Sequence, residues 1–205
     1  MGSFFRVDTS KLQSGPARVL YAPSTQALPT QISDVITLTS GSTQYDPKTG
    51  WVDLGATRQG VTISVNNTET SFDVDQIRGA VATTPDTWEC LIDTRLAEMT
   101  LENLVFAWEG MDITTNTTPT PDERQTAFAG ATSYTERRMA VVYMRVDGLL
   151  TLYSFHRVVR SPQQGQIVMA KNTEQDVQVQ FRCLADGTVA DPRGQFFDVF
   201  DQVAA

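Results

Sequence analysis

The chain has 205 residues, of which 40% are hydrophobic and 20% charged, enough apolar material for a buried core and too much for wholesale disorder. Sixteen Lys plus Arg against 24 Asp plus Glu leave a formal charge of −8, the wrong sign for a protein that grips phosphate through clustered cations. No run of about 18 apolar residues exists to form a transmembrane helix, and the opening MGSFFRVDTSKL lacks the apolar stretch of a signal peptide. The expectation is one domain over 1–205, without membrane insertion.

In chain order, DVITL (34–38), GVTISV (60–65) and SFDVD (71–75) read as weak strands, and residues 40–60 as a long loop that sets Trp51 among turn-formers. TWECLIDTRL is a firmer strand, with Trp88, Cys90, Ile92 and Leu96 on one face and Glu89, Asp93 and Arg95 on the other. AEMTLENLVFAWEG predicts a helix. Thr100 is its N-cap, Met99 and Leu104 form a hydrophobic staple, Gly110 supplies the left-handed stop, and Leu101, Leu104, Val105 and Trp108 form the packing stripe. Residues 111–136, with TTNTTPTPDERQ inside, read as a long polar loop.

RRMAVVYMRVDGLLTLYSFHRVVR predicts a hairpin turning at Asp147-Gly148 through a two-residue type I′ turn. That register pairs Val146 with Leu149 and Val142 with Tyr153, sets His156 across from Met139, and brings Arg138 opposite Arg157. Both faces of the hairpin are apolar, so cover is expected on both sides. EQDVQVQFRCL alternates Val177, Val179, Phe181 and Cys183 with Asp176, Gln178, Gln180 and Arg182, a strand with one wet face. Seven or eight strands and one helix define a mainly β fold, a β-sandwich or barrel with one flanking α-helix. The two cysteines, Cys90 and Cys183, both lie in strand patterns; buried free thiols are expected, with a single disulfide as the alternative.

The sequence offers little chemistry. Its one histidine, His156, has no Gly-x-Ser-x-Gly elbow as partner, and one His with two separated Cys makes no zinc set. VDTS at Val7–Ser10 and IDT at Ile92–Thr94 match the Asp-Thr-Ser/Gly loop of aspartic proteases only as tripeptides, a match common by chance. No catalytic, cofactor-binding or metal-binding residue is expected, and no cofactor.

Three stretches in order, GPARVLYAP (15–23), PTQISDVITL (29–38) and YDPKTGWVDLGATRQGVTISVNN (45–67), are followed by ETSFDVDQIRGAVATTPDTWECLIDTRLAEMTLENLVFAW (69–108). Together they resemble the N-terminal half of the tail tube proteins of long-tailed bacteriophages. The resemblance covers residues 15–110 and more loosely the β-rich remainder; the polar 111–136 segment lies outside it.

It implies a sandwich-like barrel with a flanking helix, copies of which form hexameric rings stacked into a hollow tube for genome delivery. Implied partners are other copies of the chain, a tape measure protein in the lumen, tail terminator and baseplate or tail-tip proteins, and a sheath in contractile tails. DNA passes through without specific binding. The implied setting is the virion tail, assembled in the cytoplasm of the host bacterium. Residues Tyr45, Trp51, Val52, Leu54 and Arg58 are the expected subunit interface, with Trp51 as anchor or, alternatively, packed on its own sheet. The wet strand residues Asp73, Glu89, Asp93, Arg95, Asp176, Gln178 and Gln180 are candidates to line the lumen. A tube from a contractile injection or secretion system, a monomeric β-sandwich binding module and a hydrolase are the competing readings.

Overall fold

The computed structural model describes residues 17–73, 80–118, 121–167, 175–187 and 195–203, with backbone only at 73, 80, 81 and 162–167. Ten strands and one α-helix occur among them. In chain order they are β1 (Ala17–Pro23), β2 (Val52–Asp53), β3 (Thr57–Asp73), β4 (Ala80–Leu96), α1 (Leu101–Trp108), β5 (Met111–Asn116), β6 (Glu123–Phe128), β7 (Arg137–Met144), β8 (Leu150–Ile167), β9 (Val177–Leu184) and β10 (Phe197–Asp201). One antiparallel sheet runs β2-β1-β7-β8-β9-β4-β3, with β10 also paired to β8, while β5 and β6 form a separate hairpin.

The alternation read from the sequence explains how this sheet folds. On β9, Val177, Val179, Phe181 and Cys183 are all buried, and on β4 the same holds for Cys90, Ile92 and Leu96. These side chains meet Val19 of β1, Met139 and Val141 of β7, and Phe155 and Val158 of β8 in one core. The sheet is therefore bent back on itself, giving a β-sandwich with α1 flanking it.

β7 is buried at four consecutive positions, Met139 to Val142, which a half-wet strand cannot be. Its second face, with Leu20, Ala22, Leu150 and Leu152, is covered by Ile32, Val35, Ile36 and Trp51. The segment between β1 and β2 thus acts as a lid over the back of the sheet. The expected cover on both sides of the hairpin is present, and its own domain supplies it.

Several local expectations need correction. The Asp147-Gly148 turn has three residues in its loop: the Arg145 N–H donates to the Leu149 carbonyl at 2.8 Å and the Gly148 N–H to the Arg145 carbonyl at 3.0 Å. Gly148 alone takes the left-handed conformation, with φ of +80°. Asp147 accepts from the Leu149 N–H at 3.1 Å and pairs with Arg145, which favours the three-residue loop with its glycine bulge. The ladder shifts by one residue, so Val142 faces Leu152 and Met139 faces Phe155. An irregularity between Arg137 and Met139 removes the expected clash of Arg138 with Arg157. Arg157 instead holds the Glu136 carboxylate at 2.7 and 3.2 Å, and Arg138 donates to the Ser24 carbonyl at 3.1 Å.

Residues 34–38 form no strand; a 3-10 turn at Ile32–Asp34 precedes an isolated bridge from Ile36 to Pro47. The strand expected at 60–65 and the first three residues of the one expected at 71–75 are parts of one strand, β3, while residues 74 and 75 lie outside the described residues. Within 111–136, the expected polar loop, lies the exposed β5–β6 hairpin. The helix is capped as predicted, Thr100 accepting from the Asn103 N–H at 3.1 Å, but it buries a different face. Asn103, Phe106 and Ala107 point inward, while Leu104 and Trp108 pack at the margin of the core. Asn103 decides this, since its amide donates to the carbonyls of Leu54 and Glu98 at 3.2 and 2.9 Å and draws that side of the helix onto the sheet.

Candidate functional site

Two features of the β3–β4 hairpin stand apart from the packed body. The first is its length. β9 pairs with β4 only from Cys90 to Leu96, whereas β3 pairs with β4 from Thr57 to Asp73. Beyond Cys90 the hairpin is a ribbon of two strands. Its eight β3 residues from Asn66 to Asp73 extend about 25 Å at the usual strand rise. Phe72 is 54% exposed and Trp88 is 55% exposed, both on this ribbon, and Val65 is open at its root. Trp88 continues the buried side of β4, as the alternation predicts, yet past the end of β9 more than half of it stays exposed.

Register shifts between Thr68 and Glu69 and between Phe72 and Asp73 add twist to the ribbon. The hydroxyls of Thr68 and Thr87 bond across it at 2.6 Å. At the start of β3, well before the ribbon, Gln59 and Gly60 take φ values of +63° and +75° and make a bulge whose Gly60 carbonyl accepts from the Thr94 hydroxyl at 3.1 Å. β3 is also the last strand of the sheet, and no described strand pairs with its outer edge.

The second feature is the face of β3, β4 and β9 turned away from the core. The register places Asp93 beside Gln180 and Thr62, Arg95 beside Gln178 and Arg58, and Glu89 beside Asn66. Gln180 donates to Asp93 at 2.9 Å, Arg182 reaches Glu89 at 2.9 Å, and Arg95 approaches Asp176 at 3.5 Å. Arg58, Thr62, Asp93, Arg95, Gln178 and Gln180 line a shallow depression of about 420 Å³.

Of the expected lumen residues, Glu89, Asp93, Arg95, Gln178 and Gln180 thus share one face, and Asp176 sits buried at its margin. Asp73 closes the β3 ladder, its side chain lying outside the described residues. The face is not the carboxylate surface that the net charge suggests, because Glu89, Asp93 and Asp176 are matched by Arg58, Arg95 and Arg182.

The expected interface residues separate. Trp51 is 5% exposed and Leu54 2% exposed, the first under the lid of the back core and the second in the main core. This corrects the expectation that they anchor a neighbour: the turn Lys48–Trp51, closed by the Trp51 N–H on the Lys48 carbonyl at 2.9 Å, folds the indole inward. Tyr45 packs beside the same cluster with φ of +65°. Val52 is exposed on the edge strand β2, and Arg58 is half-buried at the start of β3.

Other polar groups serve the scaffold. His156 is 1% exposed, its Nε2 placed 2.9 Å from Asp198 on β10, and it faces no open site. Val7–Ser10 lies outside the described residues, and Asp93 of the Ile92–Thr94 tripeptide is engaged by Gln180. Sequence reading missed the buried Glu109, which accepts from Arg137 and from the Thr135 N–H at 3.2 Å, with the Arg137 guanidinium 4.9 Å above the Phe106 ring. The only signal for it was an acid directly before the glycine that ends the helix. No group of three or more metal-ligating side chains comes together among the described residues.

Comparison of the sequence with protein-family models and with curated proteins finds no match.

Proposed function

We propose that the chain is a structural subunit of a bacteriophage tail tube, closing with five copies of itself into rings that stack into a conduit for genome delivery. The observation that carries this reading is the exposed ribbon at the end of a long edge that no described strand pairs. An isolated two-stranded ribbon is marginal in water, and natural proteins shield long edges with charge, proline or short length. Over most of its run β3 has none of these devices: Gln59 to Thr68, ten of its 17 residues, carry no charge and no proline. A second copy meeting this edge would extend the sheet and cover Trp88 and Phe72. The ordered resemblance of residues 15–110 to tail tube proteins gives the geometry of that assembly, a closed ring. Trp51 contributes nothing to it, being packed within its own chain.

In this reading the face bearing Asp93, Arg95, Gln178 and Gln180 lines the lumen. Amides and internally paired charges offer phosphate no cluster of free cations, so DNA slides past without specific binding. The lumen holds a tape measure protein before ejection, the tube ends meet terminator and tail-tip or baseplate proteins, and assembly takes place in the host cytoplasm before the tube is carried in the virion.

Negative-stain electron microscopy and analytical ultracentrifugation of the purified chain test the proposal. Rings or tubes that grow with protein concentration are expected. A chain that sediments as a monomer across the accessible concentration range would overturn it.

A further inference from the structure

The chain's two cysteines are far apart in sequence but directly opposed in the fold. Cys90 of β4 and Cys183 of β9 are register partners. Directly opposed residues of an antiparallel pair have Cα atoms about 4.5 to 5.5 Å apart, inside the window that a disulfide spans. Both side chains are in the main core, and both are free thiols. A hydrogen bond between the two sulfurs lowers the Cys90 thiol below its ordinary range and, together with burial, raises Cys183. A cavity of about 510 Å³ reaches Cys183 from the surface between Asn67, Trp88, Arg182 and Phe196. The position is specific too: Cys90 is the last residue of β4 held by β9 before the ribbon leaves the body.

We propose that Cys90 and Cys183 form a reversible redox site, closing to a cross-strand disulfide that staples the root of the ribbon to the body. The oxidant is a peroxide small enough to enter beside Cys183. Cys90 loses its proton first, because the Cys183 S–H stabilises the resulting thiolate. That thiolate attacks one peroxide oxygen; an S–O bond forms, the O–O bond breaks, and the departing hydroxide takes up the released proton as water. The Cys183 sulfur then attacks the sulfenyl sulfur of Cys90, the S–S bond forms, and the S–O bond breaks. The second hydroxide leaves with the Cys183 proton as a second water. Two thiols are oxidised and one peroxide is reduced. Dithiol reductants reverse the bond by exchange.

The test uses the full chain, reduced and then treated with hydrogen peroxide at stoichiometric to tenfold excess. The expected product is lighter by two hydrogen atoms in intact-mass spectrometry and has no thiol titratable after denaturation. Under non-reducing digestion it yields a peptide pair joining Cys90 to Cys183, and dithiothreitol restores both thiols. Thermal unfolding of the oxidised form is expected several degrees higher. Two thiols still titratable after treatment, or oxygen added to one cysteine without loss of the two hydrogens, would overturn the proposal. Cys183→Ala gives an independent reading: with its partner gone, Cys90 is expected to gain oxygen or to cross-link two chains. A Cys183→Ala chain whose response to peroxide matches that of the native chain would also overturn it.

Discussion

Trp51 shows how a single side chain can be misread from its neighbours in sequence. Flanked by Gly50 and the turn at Lys48, it looks like a loop residue, but the turn folds it under the sheet among Ile36, Val35 and Leu152. Trp51→Ala is therefore expected to cost about 3–5 kcal/mol of folding stability, read by chemical denaturation of the unassembled chain. A variant as stable as the parent but unable to assemble would return the indole to an interface role. Glu109 is the second sensitive residue. It is 3% exposed and answers the Arg137 guanidinium, so Glu109→Ala leaves that cation facing an apolar ring with no counter-charge. A loss of about 3–5 kcal/mol is expected, larger than for Glu102→Ala, whose pair with Arg124 lies in solvent. Equal effects in urea melts would show that the buried pair is not special.

Among the elements, the turn between β7 and β8 is tied to β10 by charge. Arg145 bonds both Asp147 and Asp201, and Asp201 also accepts from the Thr151 hydroxyl at 2.7 Å. Arg145 holds the Asp147 carboxyl below its ordinary range; the Thr151 hydroxyl and then Arg145 do the same for Asp201. A depressed carboxyl contributes stability that is present above its ordinary pKa, about 4, and that fades as pH falls through the lower folded value. Amide exchange in Leu150–Phe155 and Phe197–Asp201 should accelerate below about pH 4, ahead of exchange in β9. Uniform loss of protection would mean that this latch is not separately titrated.

The ribbon gives a second test at this scale. Replacing residues 67–88 by an Asn-Gly turn, which keeps Asn66 opposite Glu89, should leave a β-rich, cooperatively folding body, since the main core draws on β4 only from Cys90 onward. The shortened chain should no longer form rings or tubes. Tubes of normal diameter from it would detach the ribbon from assembly.

How far these elements were legible follows from what each depended on. β9 and the body of β4 were readable because strict alternation has one physical meaning, a sheet with one face buried. The buried face of α1 was not, because a polar Asn103 bonding two backbone carbonyls outweighed the stripe of leucines. The β7–β8 register slipped by one residue because Asp147 bonds locally rather than adopting a positive φ. The β5–β6 hairpin was hidden by its threonines, which read as loop although they favour strands. That Glu89, Asp93, Arg95, Gln178 and Gln180 share a face follows from the alternation, but its charge balance required knowing that Arg182 falls beside Glu89 and that Arg58 falls on the same face.

At the scale of the whole molecule, the main run of the sheet ends in two unlike edges, with β10 paired to β8 off that run. β2, of two residues, is too short to recruit a strand, whereas β3 offers an uncharged run from Ile63 to Thr68. The polarity of the proposed assembly lies in that difference between the two ends of the sheet. The charge-balanced face makes a separate prediction. Asp93→Lys combined with Gln178→Lys would turn it cationic, and tubes carrying both changes are expected to assemble but to eject DNA more slowly, most clearly at low ionic strength. Ejection at the parental rate would place this face on the outside.

β8 runs for 18 residues and serves three partners in succession, β7 and β10 along its first half and β9 beyond. Its ladder bonds lie across the strand direction, so tension applied lengthwise loads many of them together instead of peeling them singly. Such a strand is a tie-rod. Tension entering β8 from β9 would pass along it to β7 and β10, and the chain would stretch as one piece before any one pairing gave way.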